Sequence, residues 1–131
     1  MLRVALFCLL VFVPISVHAG EACGDMANQG DMNECFVKAY KKTDAKLNRV
    51  YQALLKKLDD APTQKLLRDA QRAWLTYRNT QCTFETSDSN GGGIHPTASA
   101  HCLDEKTAAR VKELESQLTC EEGDMSCVFR P

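Results

Sequence analysis

Three stretches of the chain repeat apolar residues at intervals of three and four, the period of a helix that buries one face. The first carries Met32, Cys35, Phe36, Ala39, Tyr40, Leu47, Val50, Tyr51, Leu54, Leu55 and Leu58. Lys38, Lys41, Lys42, Lys46, Arg49, Lys56 and Lys57 fill its other faces. Asp31, with Glu34 three residues on, reads as an N-cap with its capping-box partner. A helix of this size reaches about 40 Å, a length useful only when another helix packs along it. The pattern breaks at "DDAPT", residues 59–63. Pro62 cannot continue a helix but suits the first turn of the next. Thr63 or Asp60 can cap that second helix, expected over residues 62–82 with a stripe of Leu66, Leu67, Ala70, Trp74 and Tyr77. Tyr51, Trp74 and Tyr77 are therefore expected core aromatics. The third periodic stretch has Leu103, Thr107, Val111, Leu114 and Leu118, with Asp104 as a fair N-cap. Between the second and third lies "TFETSDSNGGGIHPTASAH", residues 83–101, which fits neither the helix nor the strand template. The pattern predicts an all-α fold: two long antiparallel helices, a third packed across them, and a long loop between the second and third.

The chain opens differently. Arg3 precedes an unbroken apolar run from Val4 to Val13, and Val17 and Ala19 stand at the −3 and −1 positions of a cleavage site. This predicts a secretory signal peptide over residues 1–19 and a single domain over residues 20–131. The run is shorter than the ~20 residues a membrane span needs. Glu21, two residues before Cys23, does not suit a lipidation site. The expected location is periplasmic or secreted, with no stable membrane span after cleavage. Cys8 leaves with the signal, and Cys23, Cys35, Cys82, Cys102, Cys120 and Cys127 remain. An even set in a small exported domain reads as a disulfide framework. Pairing sequence neighbours gives Cys23 with Cys35, Cys82 with Cys102 and Cys120 with Cys127. Charge narrows the partners further. The whole chain has 16 Lys and Arg against 17 Asp and Glu, so loss of Arg3 leaves a small net negative charge. That balance argues against nucleic acid as a partner.

Little in the sequence points to catalysis. His18 belongs to the signal, and His95 and His101 flank the loop region. Neither a nucleophile motif nor a helical metal-binding pair occurs. The carboxylates sit beside lysines on helix faces, where solvated charge accounts for them. With every mature cysteine bridged, no thiolate nucleophile remains. No catalytic residue, metal or cofactor is expected, and the chain reads as a binding protein rather than an enzyme. The loop is the conspicuous binding element, because a bridge between Cys82 and Cys102 would close it at its base, worth about 3 kcal/mol on the chain-entropy model. Its candidate partner-binding residues are Glu85, Ser87, Asp88, Ser89, Asn90, Gly91, Gly92 and His95. A second polar set borders the apolar stripes: Asp44, Asn48, Arg78, Thr107 and Arg110. The arginine fork suits a carboxylate such as Asp44, so these five are expected to form a structural network between the helices.

Four segments together carry a resemblance: "YKKTDAKLNRVY" at 40–51, "LLRDAQRAWLTYRNTQC" at 66–82, the "GGG" of the loop, and "CLDEKTAARVKEL" at 102–114. They resemble the lysozyme inhibitor LprI-like N-terminal domain of exported bacterial proteins. The matching positions are Asp44, Leu47, Asn48, Tyr51, Gln71, Trp74, Tyr77, Arg78, Cys82, Gly91, Gly92, Cys102, Leu103, Thr107 and Arg110. Gly93 departs from the pattern, which often has Ser there, and Cys120 and Cys127 lie beyond it. The resemblance implies a helical domain and a proteinaceous inhibitor of lysozyme or a related peptidoglycan-cleaving enzyme, acting by binding. A non-catalytic envelope interaction module, or an immunity protein against a wall-degrading toxin, is the alternative. A glycosidase of this kind works through two carboxylates in a cleft. A pre-organised projection can fill such a cleft at low ordering cost, and Glu85 and Asp88 would steer it towards a basic hydrolase.

Overall fold

The computed structural model describes residues 23–121 and 123–128. The expected signal peptide, residues 1–19, lies outside them. Among the described residues the fold consists of three long α-helices, α1 (Gln29–Lys57), α2 (Ala61–Glu85) and α3 (His95–Leu118), with a 3-10 turn at Ser87–Ser89. Among the described residues there is no strand. The fold is all-α.

The helix ends follow local chemistry. α1 begins ahead of the expected start. Asn28 is its N-cap, accepting the Asp31 N–H at 2.9 Å and donating its own amide to the Asp31 carboxylate at 2.6 Å. Asp31 thus stands inside the first turn, where a negative charge meets the positive end of the helix dipole. At α2, Asp60 is the cap: its carboxylate accepts the Thr63 N–H at 2.8 Å, with Pro62 in the first turn. That N–H holds the Asp60 carboxyl below the usual carboxylate range. The largest departure from the sequence pattern is at α3. The helix starts at His95 with Pro96 in its first turn, and Asp104 lies in its interior instead of capping it. Proline's fixed φ is pre-organised for a first turn, and Ala98 and Ala100 extend it readily. α2 also continues beyond Cys82 to Glu85. The long loop therefore contracts to residues 86–94.

Contacts across the helices set the topology. From α1 to α3, Asn33 meets Thr97 (2.6 Å), Phe36 meets His101 (ring centroids 5.4 Å), and Lys46 meets Glu115 (2.9 Å). Both series ascend, so α1 and α3 run parallel. From α2 to α3, Cys82 is bridged to Cys102, Arg78 bonds Thr107 and Gln71 bonds Arg110, so α2 runs antiparallel to α3. The result is an up-down-up bundle in which the broadest packing is between α1 and α3. Its core is Leu47, Leu54, Val111 and Leu114, against which Tyr51, Leu67 and Trp74 pack. A second cluster of Cys23, Phe36 and Ala100 seals the other end. The three disulfides pair sequence neighbours: Cys23–Cys35, Cys82–Cys102 and Cys120–Cys127.

Tyr77 is not a core aromatic: it is 54% exposed. The buried face of α2 runs through Gln71, Arg78 and Cys82, with Leu67 and Trp74 alongside. Two of those three buried residues are polar. An apolar-only stripe therefore drifts around the helix to Leu66 and Tyr77, which face outward.

Candidate functional site

The segment joining α2 to α3 is a chain of tight turns. The Ser89 N–H donates to the Thr86 carbonyl, that of Asn90 to Ser87, that of Gly92 to Ser89, and that of His95 to Gly92. Gly91 has φ +78°, a left-handed conformation that favours glycine. A Cβ at Gly92 would come within 3.1 Å of the Ser89 carbonyl oxygen. Three anchors hold this ridge. The Cys82–Cys102 bridge joins the helices beneath it. Ser89 Oγ donates to the Thr86 carbonyl (2.8 Å) and lies 2.9 Å from His95 Nδ1. The Asn33 amide of α1 donates to the Gly93 carbonyl at 3.1 Å. Ser87, Asp88, Asn90, Gly91 and Gly92 are exposed above these anchors, whereas Ser89 and His95 are half-buried between them.

Glu85 does not belong to the exposed ridge as the sequence pattern expects. It is the last residue of α2, and its carboxylate accepts from the Gln81 amide (2.8 Å) and Lys106 Nζ (3.0 Å). The Gln81 amide first, and Lys106 second, hold its carboxyl below the usual range. Its other oxygen stands 3.2 Å from Cys102 Sγ. Cys82, Glu85 and Cys102 thereby gather three donor atoms within 4.8 Å, but both sulfurs are spent in the bridge and offer no thiolate.

Below the ridge, polar residues meet inside the bundle. Arg78, 5% exposed, donates through Nη1 to Asp44 Oδ1 (2.9 Å) and to Thr107 Oγ1 (3.1 Å), joining all three helices. Thr107, fully buried, passes its own hydroxyl proton to the Leu103 carbonyl at 2.6 Å. The Arg78 guanidinium also lies 5.2 Å from the Trp74 ring centre and 5.6 Å from that of Tyr40. Burial pushes the Tyr40 phenol up, a shift that the nearby Arg78 charge opposes. Arg110 lies over the same Trp74 ring at 5.8 Å and donates to Gln71 Oε1 at 3.2 Å and to Glu113 at 2.8 Å. Trp74 is thus shared by two cations, each worth about 0.5–2 kcal/mol in such a setting. Asn48 stands at the margin, its amide 3.4 Å from Asp44.

A family model described as lysozyme inhibitor LprI matches residues 20–114. The chain belongs to the lysozyme inhibitor LprI family. Within this LprI chain the match spans α1, α2 and most of α3, and ends before the Cys120–Cys127 bridge. A protein of Rhizobium meliloti (strain 1021), described as uncharacterised, is 34% identical over 113 residues, covering 77% of this chain and 81% of its own length. No solved structure matches the chain. The structure brings Asp44, Arg78 and Thr107 of the LprI motif into one hydrogen-bonded set. Arg110 joins it only through Trp74, and Tyr77 stands apart. Sequence reasoning gave no role to Gln71, although it lies within the LprI motif and is a buried acceptor. It also passed over Asn33 and Thr97, which carry no periodic or spacing signal for a contact across 64 positions.

Proposed function

We propose that this LprI-family chain is an exported, non-catalytic inhibitor of lysozyme or a related peptidoglycan-cleaving hydrolase, and that residues 86–94 form the element entering the hydrolase cleft. The family match supports the inhibitor class. The supporting observation for the site is a short exposed ridge whose base is fixed by a disulfide and by hydrogen-bonding contacts with Asn33 of α1 and His95 of α3. A segment ordered before binding gives up little conformational entropy on docking. Asn90 offers an exposed amide suited to donate to the paired carboxylates on which such a hydrolase depends, while the Ser87 hydroxyl already donates to the Phe84 carbonyl at 2.8 Å. Gly91 and Gly92 keep the crest narrow. Asp88 contributes to the approach to a basic hydrolase, whereas Glu85 is committed to Lys106 and serves the base.

Three disulfides favour an oxidising, exported location. Among the described residues no helix is long and apolar enough to cross a membrane. The reading is tested by following the clearing of a peptidoglycan suspension by a panel of lysozymes with and without the purified, oxidised protein. Dose-dependent slowing for at least one hydrolase is expected. No slowing for any of them, at concentrations well above that of the enzyme, would leave an envelope interaction role in its place.

A further inference from the structure

Positive charge is concentrated on the outer face of α1. Seven of the chain's 16 Lys and Arg lie between residues 35 and 58, against one of its 17 Asp and Glu. That one, Asp44, is paired with the buried Arg78. At 3.6 residues per turn, Lys38, Lys42, Arg49 and Lys56 fall within about 40° of a single line about 27 Å long, flanked by Lys41. The buried residues of the helix, Phe36, Leu47 and Leu54, lie on its opposite side. All five cations are exposed, and among the described residues none of the five has an ion pair or a hydrogen bond. Lys46, at the strip's margin, is by contrast held by Glu115 at 2.9 Å. Asp31 and Glu34 precede the strip, and Asp59 and Asp60 follow it, so it is bounded at both ends. Lys38 and Lys42, like Lys42 and Lys46, stand one turn apart, where like charges repel. An anionic counter-surface turns that repulsion into attraction.

The surroundings of these cations narrow the partner. Ala45, Gln52 and Ala53 lie exposed between them, small or polar. The aromatic rings of α1, those of Phe36, Tyr40 and Tyr51, belong to the packed side, so the strip has no platform for stacking the bases of a nucleic acid. Its relief is slight, a shallow open hollow past Arg49, Gln52, Ala53 and Lys56. Such a face reads charge density rather than the shape of one molecule, and a straight line of cations on a rod meets a plane along its whole length. We propose that this face of α1 docks the exported protein on an anionic phospholipid surface, its Lys and Arg side chains meeting headgroup phosphates. The helix does not insert, because its apolar side is committed to the bundle. Nor does the chain's small net negative charge oppose docking. At physiological salt charges are screened over about 8 Å, less than the width of one helix, so carboxylates beyond α1 count for little. Asn33, which ties α1 to the 86–94 ridge, lies on the packed side, and the docked face leaves the ridge clear.

Co-sedimentation of the oxidised protein, recovered after export, with vesicles of equal phosphatidylglycerol and phosphatidylcholine tests this, with pure phosphatidylcholine as the neutral reference. The protein should bind the mixed vesicles only. Raising salt from about 0.1 M to about 1 M, which shortens the screening length from about 10 Å to about 3 Å, should release it. Each cation beside such a surface is worth roughly fivefold in binding. Lys42→Gln/Arg49→Gln should therefore weaken binding roughly 25-fold with helical circular dichroism unchanged, and Arg49→Lys, which keeps the charge, should bind as the wild type does. A Gly-Ser linker in place of residues 87–93 should leave vesicle binding intact, which separates this result from any failure of the inhibitor reading. No binding to the mixed vesicles, equal binding to the neutral ones, or undiminished binding by the folded Lys42→Gln/Arg49→Gln protein would each overturn the inference. So would capture by soluble polyphosphate with none by the vesicles, which would assign the strip to a linear polyanion.

Discussion

Arg78 is a full positive charge almost without access to water, and its tolerance depends on what surrounds it. Asp44 neutralises it, Thr107 accepts a second bond, and the Trp74 and Tyr40 rings line its approach. Removing a partner should cost more than the contact appears worth, because the remaining charge stays buried. Asp44→Ala is expected to lower unfolding free energy by about 3 kcal/mol, and Thr107→Val, which keeps the shape but removes the acceptor, by about 1–2 kcal/mol. Chemical denaturation of both variants checks this, and a loss under 0.5 kcal/mol for Asp44→Ala would show that Arg78 reaches water. Glu85 gives a pH signature. Its carboxyl is held below the usual range in the folded state, so its contribution is present above the ordinary glutamate range and fades as pH falls through the lowered value. Thermal melts of wild type and Glu85→Gln should differ at neutral pH and converge in acid; a gap that widened in acid would contradict the assigned sign.

At the scale of the elements, the positions of α1 and α2 were largely legible and the start of α3 was not. Pro62 after two aspartates announces a helix start, but Pro96 does the same after three glycines and was masked by its Ser, Thr and His neighbours. α2 illustrates a different failure. Gln71 and Arg78 are buried because their partners come from α1 and α3, and no local pattern announces partners so distant in sequence. An apolar stripe therefore found the helix and mis-aimed its face, placing Tyr77 inward. The disulfide pairing was legible because each cysteine joins its sequence neighbour. The Cys82–Cys102 bridge is the element-scale device of most consequence, since it ties the end of α2 to α3 under the ridge. Replacing both cysteines by serine should cost about 3 kcal/mol of stability. It should also weaken hydrolase inhibition more than the loss of folded protein explains, as measured by titration at a temperature where the variant remains folded. Equal inhibition by the folded variant would show that the bridge does not organise the ridge.

For the molecule as a whole, the helices form a frame and the 86–94 ridge is an exposed, internally hydrogen-bonded turn at one end of it. α1 and α3 run parallel, so the chain must return along α2 and cross over at the end where the ridge sits. Little of the ridge's construction was legible in advance. Its glycines and serines are common to any loop, and its tie to Asn33 depends on the bundle having formed. Whether this small projection carries the binding decides the proposed function. The most direct measurement is hydrolase inhibition by a variant in which residues 87–93 are replaced by a short Gly-Ser linker, with helical content and the Cys82–Cys102 bridge verified intact. Against a lysozyme that the wild type inhibits, the account predicts at least a tenfold loss of inhibition, about 1.4 kcal/mol of binding. Undiminished inhibition by that folded, bridged variant would contradict it.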